Sequence, residues 1–282
     1  MMHQTGKRLI STLMAFFMVF ALLPLPAQAA ESQEIAFARS SFTAESMTGL
    51  KRSGVATLEE THNRVTLIPD VSDMVGGLFT EYKVSMGEDS FSMAAEIFLG
   101  ECEEETPADG FAIIIAKRSN ECVAYQEGSS LGYSGMTGES VAVEFFTYST
   151  SYVKVTLDKN GVQSNKNSAT THNNLPVSDK VNSPAYIWVD YDKAAGKLYV
   201  YASENSASRS SALEFTDVDL SSYDKFYIGI TAASGDSHQE YAVSQWYYDN
   251  AYHADGLKLD GSVTYTGNYP QIGGYNFYVY GQ

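Results

Sequence analysis

Beyond residue 30 the apolar positions fall into short runs with a period of two or no period, separated by turn residues. Phe111 to Ala116 is a continuous apolar run, as expected for a strand covered on both faces. In Ile187-Trp188-Val189-Asp190-Tyr191, Ile187, Val189 and Tyr191 share one face. In Leu198-Tyr199-Val200-Tyr201 the aliphatic side chains point one way and the tyrosines the other, and Val141 to Phe145 is a further strand. Asp192-Lys193-Ala194-Ala195-Gly196 and Lys159-Asn160-Gly161 carry the signature of hairpin connections. No amphipathic helix and no internal repeat stand out. Many strands with turns between them predict an antiparallel sandwich or barrel, and a sandwich buries alternate residues between its two sheets. Ser164 to Ser183 is polar and reads as a long surface connection or a ragged edge.

The first residues follow a different pattern. Lys7 and Arg8 precede an apolar run from Leu9 to Leu23; Pro24 and Pro26 break it, and Ala27-Gln28-Ala29 offers a small-x-small cleavage site. This predicts a secretory signal peptide over 1–29. The alternative is an N-terminal anchor, for which the apolar run is short. No later stretch reaches spanning length, so no membrane span is expected after cleavage. The predicted location is secreted, extracellular or loosely associated with the cell surface. What remains, about 250 residues, suits one large β domain. We place it at 30–256, with 257–282 as an aromatic hairpin or tail containing Tyr275 to Tyr280.

Charge narrows the partners. The chain has 34 Asp and Glu against 18 Lys and Arg, a formal net charge of −16. Phosphate backbones need clustered cations, which are absent, so no nucleic acid partner is expected. Two cysteines, Cys102 and Cys122, are present. In an exported chain an even pair predicts a disulfide, closing a loop worth roughly 3 kcal/mol. The other reading is two buried thiols.

Five segments, in order, carry a resemblance. They are Ala108-Asp109-Gly110-Phe111-Ala112, Leu131-Gly132-Tyr133, Val141-Ala142-Val143-Glu144-Phe145, Ile187 to Asp192, and Ile228-Gly229-Ile230-Thr231-Ala232-Ala233-Ser234-Gly235. Together they resemble the L-type, legume-like lectins, including bacterial extracellular members, over roughly Ile35 to Tyr252. The resemblance implies a concanavalin A-like antiparallel β-sandwich, or jelly roll. It also implies glycan or polysaccharide binding by loops at one edge of a curved sheet. In that family the first loop supplies an aspartate, often after a cis peptide and before Gly; Asp109 and Gly110 match. An ionised carboxylate is an acceptor-only group suited to vicinal hydroxyls. The second loop offers a backbone N–H, here from Gly128 or Ser129. The fourth offers Gly235, Asp236 and Ser237, with His238 read as an ordinary surface residue.

The third loop departs from the pattern. The resemblance implies acids, an Asn and a His that hold calcium and a transition metal. Here Glu144 matches the first acid, but Phe146 stands at the bridging Asp and Thr150 at the Asn, with Tyr152 near the His. Tyr148 matches an aromatic position against the sugar, and Thr150 joins the candidate binding residues. Calcium needs six to eight oxygens, so no cofactor is expected, calcium included. Two other functions come from different classes. A glycoside hydrolase needs two carboxylates across the scissile bond, and after Glu144 the next positions on its face are Phe146 and Tyr148, so no enzymatic activity is expected. A sandwich that has lost sugar binding and serves as an adhesive or structural module is the second alternative.

Overall fold

The computed structural model describes residues 36–86, 90–103, 106–148, 152–159, 162–166, 180–209 and 212–259. The expected leader, Thr150, Asn160-Gly161 and the aromatic run Tyr275 to Tyr280 lie outside them. Two antiparallel sheets face each other. The back sheet runs in the order β14 (Leu213–Thr216), β13 (Lys197–Ser203), β12 (Ser183–Asp192), β7 (Ser90–Leu99), β16 (Tyr241–Asp249), β4 (Arg64–Ile68), β3 (Thr57–Glu59), with β1 (Ala36–Arg39) also on β16. The front sheet runs β11 (Val162–Lys166), β10 (Tyr152–Lys159), β9 (Ser140–Phe146), β8 (Gly110–Ala116), β15 (Lys225–Ala233), β5 (Val75–Thr80), β2 (Leu50–Gly54), with β6 (Val84–Ser85) on β15. The all-β sandwich expected from the alternation is the fold observed. Among the described residues no helix is long and apolar enough to cross a membrane.

Alternation builds the core. From the front sheet, Phe111, Ile113, Ile115, Val143 and Phe145 point inward; from the back sheet, Met93, Ile97, Ile187, Val189, Leu198 and Val200 meet them. Phe111 and Phe145 stack at 4.8 Å. The opposite face of the front sheet is also covered. Ala112, Ile114, Ala116, Ala142, Phe146 and Phe79 pack under Leu131, Tyr133 and Met136 from the connection between β8 and β9. That second layer explains the uninterrupted apolar run at 111–116.

The outer face of the back sheet carries a smaller cluster. Leu257 and Leu259 pack on Ala94, Trp188 and Tyr247, and the Trp188 indole N–H donates to the Leu257 carbonyl at 2.7 Å. Beside it Asp190, 0% exposed, pairs with the Arg209 guanidinium at 2.6 Å. That guanidinium lies 3.9 Å from the centre of the Tyr201 ring. Burial pushes the Asp190 carboxyl up to about 6, against the pull of Ser92 and Arg209.

One open reading is settled and one expectation is corrected. Ser164 to Lys166 belong to β11, the edge strand of the front sheet, so here the ragged-edge reading holds and the surface connection does not; they pair with Leu157, Thr156 and Val155 of β10. An edge strand needs only one backbone partner, so a polar sequence can form it. Cys102 and Cys122 are thiols, not a disulfide. The Cys102 sulfur lies 3.4 Å from the His238 carbonyl, in the connection after β7. Cys122 packs with the second layer on the front sheet, where a Cβ on Gly77 would come within 2.7 Å of its sulfur. Its thiol is raised to about 12, mainly by burial. The two side chains serve different neighbourhoods, which a count of cysteines does not reveal.

Candidate functional site

The chain enters β8 through a cis peptide between Ala108 and Asp109. The Asp109 N–H donates to Ala233 O at 3.1 Å, and its carbonyl accepts from the Thr147 N–H at 2.9 Å. Asp109 is thus threaded between the end of β15 and the end of β9. Gly110 follows with φ +143°, and a Cβ there would fall 2.0 Å from Phe145 O. Only glycine lets the strand pass so close, so Gly110 acts through its backbone.

Two further loops close on the Asp109 carboxylate. Gly128 has φ +60°, and its N–H donates to Ser234 O at 3.0 Å. A Cβ on Gly128 would lie 3.6 Å from Asp109 Oδ2, and one on Gly235 would lie 3.3 Å from the same oxygen. The Gly235 N–H donates to the carboxylate, yet burial outweighs it and raises the Asp109 pKa above the ordinary value. Residues 128–130 form a single 3-10 turn, and Thr231 Oγ1 pins the next carbonyl, Leu131 O, at 2.7 Å.

The structure therefore brings Asp109, Gly128 and Gly235 together. Ser129 and Asp236 are exposed one residue beyond the two glycines, and Ser237 is half-buried. Tyr148 is 50% exposed next to Thr147, whose hydroxyl meets Tyr241 OH at 2.6 Å. Thr150 lies outside the described residues. Sequence reasoning missed the support of this cluster. The buried Ser234 hydroxyl donates to Val71 O at 2.7 Å and accepts from Met74 N–H at 3.0 Å, fixing the fourth loop to the segment before β5. His238 is no bare surface residue: its Nδ1 lies 2.6 Å from Asp70 Oδ1, bracing the same segment.

Where the resemblance implied two metal ions, the third loop is occupied by other contacts. Glu144 is 3% exposed, and its Oε2 accepts from Thr156 Oγ1 at 2.5 Å and lies 3.2 Å from the Lys154 ammonium. The Tyr133 hydroxyl bonds to the same carboxylate. Phe146 stacks on Tyr152 at 4.6 Å. A hard cation wants several oxygens around it; an ammonium and two aromatic rings beside one carboxylate do not suit it. Among the described residues no group of three or more His, Cys, Asp or Glu is placed to hold a metal.

The arrangement has known counterparts. The legume lectin domain profile matches residues 31–262. The protein belongs to the legume lectin family, whose members bind carbohydrate and are not enzymes. Among solved structures, the metal-free form of lectin I-B4 from Griffonia simplicifolia aligns with TM-score 0.61 and 19% identity, covering 77% of this chain and 99% of that one. Peanut lectin bound to a nine-residue peptide aligns with TM-score 0.61 and 22% identity, over 76% and 96%. Arcelin-5, a lectin-like defense protein from Phaseolus vulgaris, aligns with TM-score 0.58 and 17% identity, over 77% and 98%. At these identities the likeness is one of fold. A search of curated protein sequences gives no match.

Proposed function

We propose that the protein is an exported lectin that binds a glycan or polysaccharide through the loops around Asp109, without metal ions. One observation carries the reading. A half-buried carboxylate is held between two glycine backbones, Gly128 and Gly235, at the end of the central strands of the front sheet. A fixed acceptor flanked by two residues without side chains can take two vicinal hydroxyls. Ser129, Asp236 and Ser237 stand where they can select among sugars, and Tyr148 offers a polar-tipped ring to a sugar face. The family and a lectin from Bauhinia forficata in complex with GalNAc support a sugar as ligand. Export rests on Lys7, Arg8, the apolar run and Ala27-Gln28-Ala29, and the acidic surface favours a neutral glycan over a polyanion.

A glycan array probed with the wild-type protein and Asp109→Ala tests the site. Wild-type binding, lost in Asp109→Ala with the thermal midpoint kept, is the expected result. Absence of wild-type binding to any glycan would favour the structural sandwich. A metal bound only by the folded state would raise its stability by mass action. EDTA should therefore leave both midpoint and binding unchanged. A fall in midpoint restored by calcium would overturn the metal-free reading.

A further inference from the structure

We propose that Lys154 is a built-in cation that locks two of the loops flanking Asp109. The inference rests on the sugar-binding reading only for its affinity readout.

The register makes the arrangement. β9 and β10 pair so that Glu144 faces Lys154, Phe146 faces Tyr152 and Ala142 faces Thr156. Ala142 and Phe146 belong to the layer on the outer face of the front sheet, so Glu144 between them lies on that face as well. A carboxylate buried to this degree is costly unless a cation and hydrogen bonds compensate it. The Lys154 ammonium supplies the cation at 3.2 Å, and Thr156 and Tyr133 supply the hydrogen bonds. Burial, and then the Glu144 charge, keep the Tyr133 hydroxyl protonated and donating, with its pKa well above the ordinary value.

Two paths lead from this ammonium to Asp109. The first runs through Glu144 to Tyr133. Tyr133 lies in the loop that begins at Gly128, and its N–H donates to Ser130 O at 3.3 Å. The second runs through Phe146, whose ring centre lies 5.1 Å below the ammonium and whose other neighbour is Tyr152. Phe146 pairs with Gly110 in the sheet, and Thr147 after it holds the Asp109 carbonyl. A single charge thus joins the second and third loops around the first. It is covalently attached, so its occupancy does not depend on any dissolved ion. Lys154 is a positioning residue: nothing places it against the sugar.

The test compares full-length wild type with Lys154→Met, Lys154→Arg, and Lys154→Met combined with Glu144→Gln. Thermal midpoint, amide hydrogen exchange over residues 123–136, and affinity for an array-identified glycan are measured. Lys154→Met should lower the midpoint, speed exchange in that segment and weaken binding about tenfold, the low end for orienting partners of a site. Lys154→Arg should restore all three, since guanidinium keeps both the ion pair and the ring contact. The double variant should be more stable than Lys154→Met alone, because no buried charge is left unpaired. A Lys154→Met protein with wild-type midpoint and exchange overturns the inference, as does a double variant no better than the single one. Should Lys154→Met fail to fold, the double variant and Lys154→Arg still decide. A wild type that binds no glycan sinks the sugar reading but leaves the midpoint and exchange series to judge Lys154.

Discussion

Gly235 donates its backbone N–H to the Asp109 carboxylate, and a Cβ at residue 235 would stand 3.3 Å from Oδ2. The contact leaves the rest of the carboxylate open to a ligand only while residue 235 has no side chain. Gly235→Val should crowd that mouth and weaken glycan binding by about tenfold or more, or about 1.4 kcal/mol. Isothermal titration with an array-identified glycan reads the change. Unaltered affinity would place the sugar elsewhere on the surface.

The raised Asp109 pKa sets a pH dependence. Ionisation makes both oxygens charged acceptors, so binding should fall on acidification with a midpoint above 3.8, the ordinary aspartate value. For stability the sign is opposite. The fold binds this proton more tightly than the unfolded chain, so the group's contribution is greatest at acid pH. It declines as pH rises from the ordinary value through the raised one. Asp109→Asn, which can still accept from Gly235, should therefore keep or raise the thermal midpoint at pH 7 while binding is lost. A lower midpoint for Asp109→Asn would contradict this.

Arg209 and Asp190 form a buried pair with unequal exposure, 14% and 0%. Removing the cation leaves the carboxylate unpaired, so Arg209→Gln should cost about 3–5 kcal/mol at pH 7. Asp190→Asn should cost less, because the arginine is partly solvated. With the Asp190 carboxyl raised to about 6, its stabilising effect declines as pH rises from the ordinary aspartate range to about 6. Urea melts of both variants at pH 5 and pH 8 would check the order, and Asp190→Asn the more damaging at pH 8 would refute it.

The cysteines give a chemical test. Protein denatured without reductant should take up two alkyl groups by intact mass. Cys122, half-buried and raised to about 12, should resist iodoacetamide in the native state at pH 8. A mass two hydrogens light, with no alkylation, would restore the disulfide.

Much of the fold is legible because strand alternation is local. The run Phe111 to Ala116 gives its two-sided burial away without any partner in view, and Leu198 with Val200 gives the inner face of β13. Asp109 and Gly235 were legible only through the order of motifs, since they lie 126 positions apart. Lys154 was not legible at all. A lysine at an alternate strand position reads as a solvated face, and only the register with Glu144 gives it a partner. His238 and Asp70, 168 positions apart, meet through the same kind of long-range closure. β11 was half legible, as a connection or a ragged edge, because its partner is fixed by backbone bonds, which a polar sequence does not advertise.

The Trp188 indole holds the Leu257 carbonyl against the back sheet, and Leu259 is the last side chain seated there. The loops around Asp109 occupy the other layer, around the end of the front sheet. A tether grafted after residue 259 would leave the fold from the outer face of the back sheet, the layer that does not carry Asp109. Molecules immobilised by that route would rest on the back sheet and leave the Asp109 loops of the front sheet clear of the support, whereas attachment through the layer over residues 131–136 would set those loops beside it.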